Sequence, residues 1–455
     1  MMVVLQVCKA LRQTYMSSSE LQYIVELSGQ WLLHVPNMDN VNIPVCKRLQ
    51  LLRDKAHAWF KVDAHSFETV SLPKDMHSDK KFVVDEHLYL WDKEEDMATI
   101  VPILPKPSQK IVKRGWSPGT LFSVPDSDNL DVFMDPAQNL ITAYAVTDDT
   151  LQSNKETLYI DLGVLDSDGA HPRAAGWTLF LSVPPASKDK CFVTERGCGS
   201  CIFGTGNTQQ HLMLLVVADD LKFYSIEDMS QMPQLLVCFL MPVPFPNLRC
   251  LLLMDRVDSS PQMQAQQTMY TSDPQNRLLC ITTEGKRAYV ISMRIFFNLD
   301  GIVAATPVPW ERWGPSNTRI FELSGQSRVH VSGNRVLQAL LEGNAAAGPL
   351  KHTLHIMDFS LLAVTNRRGL GERAIYNTRP RRVDWQACND LDNVTLDRKF
   401  GSAESELADA WVDKDRIYLL NRKWDYEVIA IVTHHGPWRH FPGILRALLS
   451  DPVFL

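Results

Sequence analysis

Apolar residues recur at helical spacing only near the start of the chain. Val4, Cys8, Leu11 and Tyr15 form one stripe, and Leu21, Ile24 and Val25 form a second. Val45, Leu49, Leu52, Ala56 and Trp59 form a third, at steps of four, three, four and three. Ser17 and Glu20 have capping-box spacing ahead of the second helix, which the pattern ends near Gly29. Pro44 suits the first turn of the third, where a missing N–H costs nothing. An isolated helix of this length is marginal in water, so Leu49, Leu52 and Trp59 are expected to bury against the later domain. The two earlier helices have narrow stripes and need a partner: the later domain, another protein or a helix that this chain lacks.

From Asp63 onward the pattern changes to short alternating or aromatic-rich runs between turn clusters. Strands are expected at Leu88–Trp91, Leu140–Val146, Leu158–Leu162, Trp177–Val183, Met213–Ala218, Leu221–Ile226, Arg287–Met293, Arg335–Leu341 and Val428–Thr433. One unit recurs: a strand, a tight polar turn, then an apolar strand. Its turns fall near residues 85, 137, 219, 285, 333 and 414, so the spacings run from about 48 to about 82 residues. A four-stranded propeller blade takes about 40 to 50 residues, and wider gaps leave room for inserted loops such as 254–276 and 363–382. The predicted fold is mainly β, a β-propeller-like (WD-repeat-like) domain over 63–455. Ahead of it stand helices over 1–31 and a loop with a linker helix over 32–62. Two β-sandwiches with long crossovers remain a competing reading of the same pattern. Pro442–Leu449 reads as a short terminal helix.

Composition narrows the function. The 455 residues are 45% hydrophobic and 22% charged, the balance of a soluble globular protein. A formal net charge of −6 argues against a dedicated nucleic-acid binder. Nine scattered cysteines read as reduced thiols rather than a disulfide framework. Lys9 and Arg12 follow the opening apolar run, the wrong order for a secretory signal. No apolar run approaches the roughly 20 residues that span a bilayer. A cytosolic or nuclear protein without membrane contact is expected.

Candidate chemistry is sparse. Cys198 and Cys201 form a C-x-x-C after Cys191, but a structural zinc site wants a second pair, and none follows. Gly197, Gly199, Gly204 and Gly206 lack the spacing and the Lys-Ser/Thr of a phosphate loop. His434, His435 and His440 sit around Gly436 and Pro437, an irregular loop; His352 and His355 point to opposite faces of a strand. No metal, cofactor or catalytic set is expected, and a hydrolase with its site in a propeller channel would need inward carboxylates or histidines on several blades. Arg367, Arg368, Arg373, Arg379, Arg381 and Arg382 make a basic stretch, the candidate patch for an acidic or phosphorylated target.

A family resemblance adds to this. VCKALRQTYMSSSELQYIVEL (7–27) resembles the C-terminal end of an F-box, and RLQLLRDKAHAWFKVDAHSFETV (48–70) resembles the segment that follows it in F-box proteins of mushroom-forming fungi. VPWERWGPSNTRIF (308–321) and LHIMDFS (354–360) are similar to later phrases of that group. An F-box opens with an L-P-x-E-[LI] helix about twenty residues before the V-C pair, so the resemblance covers only the rear half of the motif. It implies a non-enzymatic substrate receptor of a cullin-RING ubiquitin ligase. Val7, Cys8 and Leu11 would then face a small Skp-type adaptor, weakly for want of the front half, while the C-terminal domain holds a target protein. A propeller scaffold with no ubiquitin role is the alternative.

Overall fold

A computed structural model describes residues 9–34 and 43–60 and, between 67 and 433, a series of strands, short helices and adjoining turns. The chain starts with helices α1 (Lys9–Ser17) and α2 (Ser19–Gly29), the short strand β1 (Leu32–His34), helix α3 (Val45–Phe60) and strand β2 (Phe67–Ser71). Strands then follow one another in sheets. The first holds β3 (Lys80–Val84), β4 (His87–Asp92), β5 (Met97–Pro102) and β6 (Val112–Gly115). The second holds β7 (Asp131–Asp135), β8 (Leu140–Asp148), β9 (Glu156–Val164) and β10 (Thr178–Val183). The third holds β11 (Ser200–Gly204), β12 (His211–Val217), β13 (Asp220–Ser225) and β14 (Gln234–Leu240).

The fourth sheet is interrupted. Its strands are β15 (Leu248–Leu251), β17 (Leu278–Thr283), β18 (Arg287–Ser292) and β19 (Thr318–Glu322), while β16 (Tyr270–Ser272) leaves to pair with β1. Helices α4 (Arg294–Phe297) and α5 (Trp310–Asn317) lie between β18 and β19. The fifth sheet runs β20 (Arg328–Ser332), β21 (Arg335–Glu342), β22 (Lys351–Asp358), β24 (Val394–Phe400) and β23 (Glu372–Arg373). The last has β25 (Glu406–Asp413), β26 (Arg416–Lys423) and β27 (Tyr426–Thr433), and its fourth strand is β2 from the start of the chain.

That pairing closes a ring. Phe67–Ser71 runs antiparallel to Val428–Val432, with Thr69 opposite Ala430, so the two ends of the β domain share one sheet. The six large sheets are built of antiparallel neighbours, the blade pattern of a propeller. The fold is β-propeller-like, preceded by a small helical segment.

The buried side chains fall at the seams between blades. Leu221, Phe223, Val237 and Phe239 of the third blade meet Leu279, Ile281, Tyr289 and Ile291 of the fourth. Cys280, Ala288 and Val290 meet Val331, Val336 and Met357 of the fifth. Leu337, Leu354 and Ile356 meet Ala410, Val412 and Ile417 of the sixth. Trp411, Tyr418 and Leu420 then meet Val83, Leu88 and Leu90 of the first. Sixth touching first is the packing counterpart of the strand closure. Burial at about 25 cal/mol per Å² of apolar surface, repeated at these four seams, holds the third to sixth blades and the first in order.

Each strand expected from the sequence overlaps a strand of the fold, and each of the six polar turns joins two strands of a different blade. The uneven spacing has a physical cause. The fourth blade carries β16, α4 and α5 as insertions, and the chain leading into α5 covers an edge of the third. Val308 bridges Phe239 in parallel, its N–H donating to the Cys238 carbonyl at 2.7 Å and its carbonyl accepting from Leu240 N–H at 2.9 Å. Trp313 Nε1–H donates to the Leu240 carbonyl at 3.0 Å, and its ring meets Trp310 edge-on at 4.8 Å. The free edge of β14 is thereby sheltered from pairing with another chain. Gly314 is needed here, because a Cβ at that position would collide with the Trp310 ring.

His330 on β20 is buried at the seam with the sixth blade. Its Nδ1 accepts the Val412 N–H at 3.4 Å, and burial pushes its pKa down to about 3, so the ring stays neutral. It is a core histidine rather than a charged ligand.

The helical segment differs in two details from the sequence reading. The cap of α2 is Ser18, whose Oγ accepts the Leu21 N–H at 3.2 Å, one residue later than the capping-box spacing placed it. Leu49 and Leu52 of α3 bury chiefly against Tyr23 and Leu27 of α2, with Tyr270 as the contribution from the β domain. The partner that α2 requires is therefore α3. Cys201 lies on β11, opposite Leu214. The Trp59 side chain, Cys191, Cys198, His434, His435, His440 and the 442–449 segment lie outside the described residues.

Candidate protein-docking surface

Helix α2 has two apolar faces, and among the described residues only one of them is packed. Tyr23 and Leu27 lie four residues apart and are buried against α3. Leu21 and Ile24, three apart on another face, are exposed at 42% and 54%. The sequence pattern read Leu21, Ile24 and Val25 as the apolar face of this helix, in need of a partner. A helix apolar on both sides is normally enclosed on both sides, so the open one asks for a cover.

Helix α1 buries no residue. Leu11 is half exposed and Met16 more so, with Lys9 and Arg12 exposed beside them. On β1, Leu32 packs inward while Leu33 faces out. Among the described residues the exposed large apolar side chains are Leu11, Met16, Leu21, Ile24, Leu33 and Leu361. Five belong to the helical segment, and the neighbour of the sixth, Leu362, lies against Gly29 at the end of α2. Among the described residues the six blades expose none of this kind outside that corner. A concentration of apolar side chains with a polar rim marks an interaction surface.

Polar clamps fix the geometry of this face. Gln22 Nε2 donates to the Tyr15 and Met16 carbonyls at 3.1 and 3.0 Å, holding the end of α1 over the start of α2. Arg53 of α3 donates to Gln22 Oε1 at 3.0 Å and to Glu26 Oε2 at 3.3 Å, and Gln30 donates to the other Glu26 oxygen. A part-exposed ion pair of this kind contributes about 0.2–1 kcal/mol. The buried leucines set the stability, and the clamps set the angles.

Cation–ring contacts line the covered side. The Arg48 guanidinium lies 5.9 Å from the Tyr23 ring centre, and Lys55 Nζ 4.4 Å from that of Tyr270. Arg48 also donates to the Ile43 carbonyl at 2.9 Å and sits 3.2 Å from His34 Nε2. Burial raises the Tyr23 phenol above its ordinary range, with the Arg48 charge working in the opposite direction.

Of the residues that the sequence nominated for an adaptor, Leu11 is exposed on α1, and Val7 and Cys8 lie outside the described residues. Of the arginine stretch, Arg373 lies on β23 opposite Val394; Arg367, Arg368, Arg379, Arg381 and Arg382 lie outside the described residues. Met16, Leu21 and Ile24 are the members of the face that the sequence reading did not nominate. Among the described residues no group of His, Cys, Asp and Glu side chains gathers to hold a metal. Among them, no helix is long and apolar enough to cross a membrane.

No protein-family model matches the chain, and no curated protein matches it. Among solved structures it is similar to the β-propeller domain of Vanderwaltozyma polyspora Nup133, at 11% identity and TM-score 0.32, covering 82% of this chain and 99% of that one. It is also similar to oligopeptidase B from Leishmania major, at 10% identity and TM-score 0.31, covering 87% of this chain and 45% of that one. A third is the β-propeller domain of the trilobed protease from Pyrococcus furiosus, at 6% identity and TM-score 0.25, covering 65% of this chain and 79% of that one. Likenesses this distant carry no weight for function, and the blade order rests on the strand pairing itself.

Proposed function

We propose that this chain is a non-enzymatic protein-interaction module in which α1 and α2 dock one protein and the propeller holds another. The observation that carries the reading is the exposure of the large apolar side chains Leu11, Met16, Leu21 and Ile24 on these two helices. That is the stretch whose sequence resembles the rear of an F-box, which makes a Skp-type adaptor of a cullin-RING ubiquitin ligase the proposed first partner. The arginine stretch from Arg367 to Arg382 is the proposed contact for an acidic or phosphorylated target segment. Cytosol or nucleus is the proposed setting. A scaffold role without ubiquitin transfer is the second reading, favoured by the pairing of β1 with β16, which ties the helices to the propeller.

Two helices offer only part of the roughly 800 Å² that a standard interface buries on each partner. The expected result is therefore graded. Titrated with purified Skp-type adaptor, the 455-residue chain binds more weakly than micromolar. Fusing an L-P-x-E-[LI] helix upstream brings the dissociation constant below about 1 μM, equivalent to more than about 8 kcal/mol of binding free energy. Leu21→Asp with Ile24→Asp in that fusion lowers affinity at least about tenfold, because a charge in an apolar contact loses its water. A fusion that does not bind, or a double variant that binds as well as its parent, contradicts the adaptor reading.

A further inference from the structure

Trp31 stands where a helix ordinarily places glycine. It follows the Gln30 cap of α2 with φ of 56°, the left-handed region that a bulky side chain avoids. Such a conformation persists only where its surroundings hold it. The Trp31 N–H donates to the Ser28 carbonyl at 3.2 Å, as in a glycine cap, but the rest of its contacts reach into the propeller. Its ring packs on the core shared by the fourth and fifth blades, which includes Leu278, Val290, Val331 and Phe359. Its carbonyl accepts the Asp273 N–H at 2.9 Å, extending the pairing of β1 with β16.

The neighbouring residue is anchored as well. Asn334 Nδ2 donates to the Gln30 carbonyl at 3.2 Å. Asn334 and Gly333 form the two-residue turn between β20 and β21. In that turn the Gly333 carbonyl accepts from Leu278 N–H of the fourth blade and the Asn334 carbonyl from Phe359 N–H of the fifth, both at 3.0 Å. One tight turn thus grips both blades and the end of α2.

We propose that Trp31 is a latch, its ring seated in the seam between the fourth and fifth blades so that α1, α2 and α3 are held at one fixed place on the propeller. The exposed face of α2 is then presented at a set orientation to the blades instead of swinging on a linker. This inference stands whichever protein covers that face.

The test is hydrogen exchange on the full chain with Trp31→Gly, which removes the ring and relieves the left-handed backbone together. The latch predicts exchange at least about tenfold faster in residues 19–29 and 45–56, with the strands of the first and sixth blades unchanged. Trp31→Phe keeps a ring in the seam and stays within a few-fold of the parent. If Trp31 serves only as a helix cap, Trp31→Gly leaves α2 unchanged or slower, which overturns the proposal. Equal loss of protection in the sixth blade, or a Phe variant as fast as the Gly variant, overturns it too.

Discussion

Trp411→Ala is expected to cost about 3–5 kcal/mol, the range for deleting a fully buried large aromatic side chain. The ring is 2% exposed and lies where the sixth blade meets the first, among Val83, Leu88, Leu90, Tyr418 and Leu420. A single domain has about 5–15 kcal/mol in total, so the loss removes a large share of it. The cost falls on a seam whose two sides come from opposite ends of the β domain. Deleting the ring leaves a cavity between two packed blades, and the cost follows from how little they can close around it. A urea titration followed by far-ultraviolet circular dichroism reads the effect directly. Leu11→Ala, on an exposed side chain, should move the same midpoint by no more than about 0.5 kcal/mol. A Trp411→Ala midpoint equal to that of the parent would show that this seam does not hold the ring.

Leu52→Ala is the second large effect, at about 2–5 kcal/mol, and it should be local. Leu52 is fully buried in the cluster that joins α2 to α3, with Tyr23, Leu27 and Leu49 around it. Helices of 11 and 16 residues are near the limit at which a helix survives alone in water, so their mutual packing is what keeps them formed. With the cavity in place, the Arg53 clamp on Gln22 and Glu26 is too weak to substitute. The expected readout is faster hydrogen exchange across 19–29 while the β domain melts close to its parent temperature. If the whole chain melts earlier by the full amount, the helices belong to the same cooperative unit as the blades.

The parts of this fold that could be read from the sequence are the local ones. A hairpin announces itself within a dozen residues: alternating apolar positions, then a turn such as Ser332–Gly333–Asn334–Arg335, then more alternation. That is why six polar turns sufficed to place one hairpin in each blade. The ring closure left no such mark, because Phe67–Ser71 reads as an ordinary short polar run and its partner lies at the far end of the chain. In the fourth blade the inserted loop at 254–276 was legible from the spacing of the turns, but the pairing of β16 with β1 inside it, and helices α4 and α5, were not. The docking face was half legible. Leu11, Leu21 and Ile24 were visible as apolar, but periodicity cannot say which of two apolar faces a helix buries. Tyr23 and Leu27 decide that by meeting α3, and their contact is a tertiary fact.

The central claim is that the β domain is a ring closed by its own first strand. Opposed residues of antiparallel strands have Cβ atoms about 4.5–5.5 Å apart, near the separation a disulfide requires. Thr69→Cys and Ala430→Cys place such a pair on β2 and β27. After mild oxidation, peptide mapping of the monomer should find residue 69 bridged to residue 430 within one chain. Two separate sandwiches would leave these positions apart, so a folded monomer in which residue 69 stays reduced, or bridges anywhere outside β27, would contradict the closed ring.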